Sequence, residues 1–237
     1  MNDSCRYMPR YADGTIRSRA NQLFNKFTYD IWRRELKRFR RTRQTSPLRI
    51  VDIGCGPGFL LQCCEAWGYD AELIGVDQSE ALLSVAKSRC KAMTALKGDV
   101  SSLPLPDESV DVAFALHVVE HLIEPRVFFS EVRRVLRPRG LLVIATPNSE
   151  GLGARIMGRR WNGYSDPTHV SLHGPSFWSD LVGESGFQIT HHGTTGLSGI
   201  PPLNKMPLGL IHWIPSFFCG HFPWGFGEAY ICVAVRG

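Results

Sequence analysis

From Leu48 onward the chain alternates between two hydrophobic rhythms. Short apolar, β-branched runs suit buried strands, and the stretches between them carry apolar residues at helical spacing. LRIVDI (48–53) predicts a strand, and FLLQCCEAWG (59–68) a helix ending at Gly68. ELIGVD (72–77) predicts a second strand, SEALLSVAKSRC (79–90) a helix capped by Ser79, and MTALKGD (93–99) a third strand. VDVAFALH (110–117) predicts a fourth strand. EPRVFFSEVRRVLRPRG (124–140) predicts a helix closed by Pro138 and Gly140, with the strand LLVIATPN (141–148) after it. Residues 149–174 read as irregular, 175–186 as a helix, and 187–192 and 229–235 as strands. This alternation predicts a parallel sheet with helices on both faces, and ligands bound outside the C-terminal ends of its strands.

Two segments break the rhythm. In the first 47 residues, Leu23, Phe24, Phe27, Ile31, Trp32, Leu36 and Phe39 recur at helical spacing beside Arg33, Arg34, Lys37, Arg38, Arg40, Arg41 and Arg43. That segment holds 12 Lys/Arg against 4 Asp/Glu, whereas the other 190 residues hold 15 against 18. The chain's +5 is therefore a +8 arm (1–47) on a body of −3 (48–237). Such an arm reads as a docking helix, or as a contact for an anionic membrane surface, a phosphorylated substrate or nucleic acid. The second segment, residues 194–227, has Lys205 as its one charge, and carries Trp213, Phe217, Phe218, Phe222 and Trp224. Five prolines, Pro201, Pro202, Pro207, Pro215 and Pro223, rule out one long helix. It reads as a lid, a greasy acceptor pocket, a dimer contact or a shallow membrane attachment.

Composition narrows the class. With 237 residues and 43% hydrophobic content, the chain can bury a core without disulfides or metal. Its seven cysteines include no CxxC pair, so they read as reduced thiols in a cytoplasmic protein. No apolar run reaches the ~18 residues that a membrane span needs. MNDSCRYMPRYADG has no apolar core of a secretory signal.

The densest chemistry is VDIGCGPG (51–58), at a strand-to-helix turn. Gly54, Gly56 and Gly58 permit a tight turn and close approach of a ligand to the backbone. The third position of a dinucleotide fingerprint is Phe59, and no G-K-[ST] follows, so the loop suits a ligand without a diphosphate. Carboxylates fall near three strand ends: Asp52, Asp77 and Asp99. Asp77 is placed to accept from a ribose diol, Asp99 from an exocyclic amine of adenine, and Asp52 to favour a nearby ammonium.

With these motifs the chain resembles the class I S-adenosylmethionine-dependent methyltransferases. VDIGCGPG matches the first family motif, GVDQSEALL the second, GDVSSLPLPDESVDVAFALHVVEHL the third and fourth, and EVRRVLRPRGLLVIATPN the fifth. The resemblance is closest to the branch with quinone-biosynthesis and small-molecule or sugar enzymes. It implies a Rossmann-like α/β fold, with a seven-stranded sheet whose last strand is antiparallel. It implies S-adenosyl-L-methionine as cofactor, with Gly54, Cys55, Gly56 and Gly58 at the methionine part, Asp77 and Gln78 at the ribose, and Asp99 and Val100 beside the adenine. Leu116 and His117 are then expected beneath the sulfonium.

Methyl transfer to a hydroxyl needs a base, and the candidates are His117, His121, His169 and His173, with His117 and His169 foremost. His117, Glu120 and His121 share i, i+3, i+4 spacing and with His169 offer N and O donors, but no metal is expected. The expected partner is a small, partly apolar acceptor methylated on oxygen, with peripheral membrane contact and a homodimer left open. A non-catalytic cofactor binder and an RNA methyltransferase are the rival readings. Nucleic acid is disfavoured because neither N/D-P-P-[YF] nor a Pro-Cys motif occurs.

Overall fold

The computed structural model describes residues 29, 32–43, 47–195 and 225–237. They divide into two compact units between Val100 and Ser101. The first unit opens with helix α1 (residues 32–41), followed by β1 (Leu48–Ile53), α2 (Phe59–Ala66), β2 (Ala71–Asp77), α3 (Glu80–Arg89) and β3 (Thr94–Lys97). β1 runs parallel to β2 with Leu48 opposite Ala71, and β2 parallel to β3 with Ile74 opposite Thr94. The β-branched residues Ile50, Val51, Ile53, Ile74 and Val76 are fully buried between the helices, which is why these strands read as continuous apolar runs.

The apolar stripe of α1 is buried at Trp32, Leu36 and Phe39, whereas Arg33, Arg34, Lys37, Arg38 and Arg41 are exposed. Tyr69 donates its hydroxyl to the Arg33 carbonyl at 3.3 Å, and Arg40 donates to the Asp70 carbonyl at 3.1 Å. The docking-helix expectation is thus met for this part of the arm. Ser79 caps α3 as its sequence predicts, its Oγ accepting from the Leu82 amide at 3.3 Å.

The second unit contains β4 (Val110–Leu116), α4 (Pro125–Val135), β5 (Leu136–Pro147), α5 (Leu152–Met157), α6 (Asn162–Ser165), α7 (Pro175–Glu184), β6 (Phe187–Thr194) and β7 (Ala229–Arg236). β4 and β5 are parallel, and β7 is antiparallel to both β5 and β6. The seven strands follow the order β3-β2-β1-β4-β5-β7-β6, the Rossmann-like sheet with an antiparallel last strand that the resemblance implies.

Two expectations are corrected here. α4 ends at Val135, and LRPRG (136–140) opens β5 instead of closing the helix. Pro138 lacks an amide hydrogen and pushes Arg137 away from helical backbone. Arg139 then takes a left-handed φ of 62°, and the β4–β5 register shifts between Val110 and Val112. Residues 149–174, expected to be irregular, contain α5 and α6. The expectations for Leu23, Phe24, Phe27 and Ile31, and for the aromatic insert from 196 to 224, fall outside the described residues. Among those described, no helix is long and apolar enough to cross a membrane.

The glycines of the first loop separate into two roles. Gly58, at φ 78°, would place a Cβ 2.8 Å from that of Ala86, so it lets α2 and α3 approach closely. Gly56, at φ 50°, would meet nothing within 4 Å. Gly58→Ala should therefore destabilise the fold by about 2–4 kcal/mol through clash and backbone strain. Gly56→Ala should cost only about 1–2 kcal/mol of backbone strain, and its main effect should be on ligand binding. Urea unfolding of the two variants checks the order, and equal losses would refute the division of roles.

Candidate functional site

In the first unit, three backbone amides and one carboxylate shape the glycine loop. The amides of Gly54 and Cys55 both donate to the Val76 carbonyl, at 2.8 and 3.0 Å. Asp77 Oδ2 accepts from the Gly56 amide at 2.9 Å, and Oδ1 from the Ser79 amide at 2.8 Å. Each oxygen keeps acceptor capacity for a further donor. Asp77 thus does more than cap a helix, because it fastens the end of β2 to the loop after β1. Gln78 beside it is exposed. Asp99 is exposed and stands two residues beyond β3, which is shorter than expected and ends at Lys97; Val100 is half-buried.

Asp52 is buried, and burial followed by the charge of Asp77 pushes its carboxyl up to about 8. The Cys55 thiol is buried, and burial followed by the charges of Asp52 and Asp77 pushes it far above the usual range. It is a wall of the loop and not a nucleophile. The open space beside Gly56, the spare acceptor capacity of Asp77, and a buried acid that a cation would ionise together fit a nucleoside bearing an amino-acid ammonium. Gly58, by contrast, is used up in packing against Ala86.

In the second unit, β4 ends at Leu116, which is half-buried, and His117 follows at a left-handed φ of 59°. Its amide donates to the Ala145 carbonyl at 2.7 Å, and its side chain is 58% exposed. Nδ1 lies 3.2 Å from Oε1 of Glu120, which is fully buried in a short 3-10 turn, Val119–His121. Desolvation pulls the His117 imidazole down, but the hydrogen bond and charge of Glu120 outweigh it and hold it above its usual range.

His121 Nδ1 lies 3.2 Å from the Thr168 carbonyl and 3.0 Å from Thr168 Oγ1, whose hydroxyl donates to Asp166 at 2.6 Å. A carbonyl only accepts, so Nδ1 of His121 carries the hydrogen. Burial holds the His121 ring below its ordinary range. His169 donates from Nδ1 to the Gly163 carbonyl at 2.6 Å, and its ring centre is 4.8 Å from that of His121. The His173 ring stacks on Phe177 at 3.6 Å.

The second unit therefore gathers four of the residues singled out in the sequence. Ligand atoms of Glu120, His121 and His169 lie within 4.8 Å of one another. This is an N/O donor set, but Oε1 of Glu120 already engages a histidine. The sequence marks Glu120 as a donor beside His117 and His121 but not as the partner of the His117 ring, and it does not reveal the relay from Asp166 through Thr168 to His121. The i, i+3 spacing in HVVEHL signalled the first, and no local pattern signals the second.

Residues 51–144 match a family described as "Methyltransferase domain". Over 102 residues the chain is 36% identical to a probable S-adenosylmethionine-dependent methyltransferase of Mycobacterium tuberculosis, covering 42% of this chain and 35% of that protein. Residues 51–144 are thus similar to methyltransferase domains, and the relatives that share this region include proteins described as probable S-adenosylmethionine-dependent methyltransferases. The chain's identity to a ubiquinone biosynthesis O-methyltransferase of Rhodopseudomonas palustris is 27% over 194 residues, covering 71% and 73% of the two chains. The fold matches a Thermotoga maritima protein described as a SAM-dependent methyltransferase, possibly a histamine N-methyltransferase. That match has a TM-score of 0.64 at 20% identity and covers 98% of this chain and 97% of that one. The chain spans about a third of the length of the first curated relatives it matches, 31% to 38%.

The Asp52 carboxyl gives the first unit a pH signature. Its folded value lies above the ordinary 3.8, so the ligand-free fold is stabilised by its proton at low pH and loses that stability as pH rises toward about 8. An ammonium-bearing ligand selects the ionised form, so affinity should rise between pH 5.5 and 7.5, by at most about tenfold per unit. Asp52→Asn should flatten that rise and raise the unfolding midpoint of the ligand-free protein at pH 8. Calorimetric titration and thermal melts across this range check both, and an unchanged affinity profile in the variant would refute the assignment.

Proposed function

We propose that the chain transfers a methyl group from S-adenosyl-L-methionine to an oxygen of a small, partly apolar acceptor. The observation that carries this reading is the loop of the first unit, where Asp77 holds the Gly56 and Ser79 amides beside open space at Gly56. Gly54, Cys55 and Gly56 then border the methionine part, with Asp52 opposite its ammonium, Asp77 and Gln78 at the ribose, and Asp99 and Val100 at the adenine. Bound, the cofactor supplies a methyl already activated on a sulfonium. The chain's own work is to orient the acceptor and take its proton.

His117 and His169 are the bases in this reading. Each uses Nδ1 within the protein and has Nε2 left for a hydroxyl. The relatives described as O-methyltransferases support oxygen as the acceptor atom. No metal is required, because the donor is already activated and a base is present. Calorimetry should show cofactor binding, and release of S-adenosylhomocysteine with a panel of phenols and hydroxylated apolar compounds should show turnover that persists after chelation. Absence of binding would overturn the cofactor, and binding without turnover on any acceptor would favour a non-catalytic binder.

The basic arm, 1–47, is read as an element separate from the 48–237 domain, in a cytoplasmic enzyme that touches a membrane surface. The exposed cationic face of α1 supports it, because its apolar face is already buried in the first unit. The full chain should sediment with phosphatidylserine-containing vesicles at low salt and release at high salt. Failure to sediment would remove the membrane from this reading.

A further inference from the structure

We propose that Glu120 is the positioning residue of this site, holding His117 in the tautomer with hydrogen on Nδ1 so that Nε2 accepts the proton of a hydroxyl-bearing acceptor. The inference rests on His117 being a base, and it adds the residue that makes it one.

His117 departs from ordinary backbone geometry. A non-glycine residue in the left-handed region is disfavoured by roughly 1–2 kcal/mol, and such residues concentrate where function over-determines the backbone. Here the conformation turns the chain at the end of β4, and the amide is fastened to Ala145 at 2.7 Å. The imidazole is left 58% exposed at the ligand-binding end of a parallel strand.

Glu120 sits behind it with no exposure, and its Oε1 lies 3.2 Å from Nδ1. An ionised carboxylate only accepts, so the hydrogen between them belongs to Nδ1. Its second oxygen, Oε2, is buried and has no hydrogen-bond partner among the described residues. A buried carboxylate satisfied on one oxygen is a poor stabiliser of a fold. Its hydrogen bond to His117 aims an exposed imidazole. The Glu120 backbone carbonyl acts in the same direction, since it accepts the amides of Val170 and Ser171, both at 3.0 Å. It thereby fastens the segment that carries His169. One residue supports both candidate bases, one through its side chain and the other through its main chain.

The reaction balances without any further reagent. The acceptor oxygen forms a bond to the methyl carbon, the sulfur–methyl bond breaks to leave a neutral thioether, and the hydroxyl proton moves to Nε2 of His117. The resulting imidazolium faces the Glu120 carboxylate. This favours acceptors whose hydroxyl loses a proton readily, such as phenols, over simple alcohols.

Glu120→Gln tests the assignment, because its amide group can donate to Nδ1 and so drive the hydrogen to Nε2. Nitrogen-15 NMR of the full chain at alkaline pH, with the His117 signal assigned from a His117→Gln variant, reads the tautomer without any acceptor. The wild type should show His117 protonated on Nδ1, and Glu120→Gln should shift it to Nε2. With an acceptor in hand, kcat should fall about 100-fold or more. Cofactor affinity should change less than about twofold, and Glu120→Asp should recover part of the rate. An Nε2-protonated His117 in the wild type overturns the proposal even if the variant fails to fold. So does a variant that keeps its kcat but loses thermal stability. Failure of S-adenosylmethionine to bind the wild type would instead overturn the broader function and leave the tautomer result standing.

Discussion

The carboxylate of Asp77 is the tie on which the first unit's site depends. By accepting from Gly56 and Ser79 at once, it joins the loop after β1 to the turn after β2. Three glycines in left-handed backbone would otherwise leave that loop many conformations. Two amides on the Val76 carbonyl and two on Asp77 select one of them. The close approach of α2 to α3 at Gly58 follows, because the loop delivers α2 directly over Ala86. Burial raises the Asp52 carboxyl, and the charge of Asp77 raises it further. A site built this way holds Asp52 neutral until a cation arrives to favour its ionised form.

The second unit solves a different problem, that of aiming imidazoles. Each of His117, His121 and His169 has its Nδ1 engaged, by a carboxylate, by Thr168 and by a carbonyl respectively. Imidazoles fixed through Nδ1 present Nε2 in a defined direction. Local elements do the fixing: a 3-10 turn after β4, and a loop stapled to it through the Glu120 carbonyl. Preorganisation of this kind suits a reaction whose donor arrives already activated, since what remains is geometry and one proton.

Most of the sheet was legible in the sequence because buried parallel strands impose continuous β-branched runs, and each run here is bounded by a turn or a cap. The miss at LRPRG (136–140) is instructive. Its helical reading came from the local pattern of α4, whereas its strand conformation is fixed by pairing with Val110 and by Pro138. The helices within 149–174 were illegible for a similar reason. They are short and Gly-rich, and are held by distant partners, such as Trp161 donating to Glu228 at 2.8 Å.

By itself the sequence determined the alternation of strands and helices, the glycine loop, the order of Asp52, Asp77 and Asp99 along the strand ends, and the histidines that follow β4. These are consequences of local periodicity and of residue types that few other conformations tolerate. Only the tertiary structure decided which of them meet. It spent Gly58 on packing, turned Asp77 inward to hold two amides, raised the Asp52 carboxyl by burial, and put Glu120 rather than water behind His117. Burial and hydrogen-bond partnership depend on residues far apart in the chain, and no local pattern encodes them.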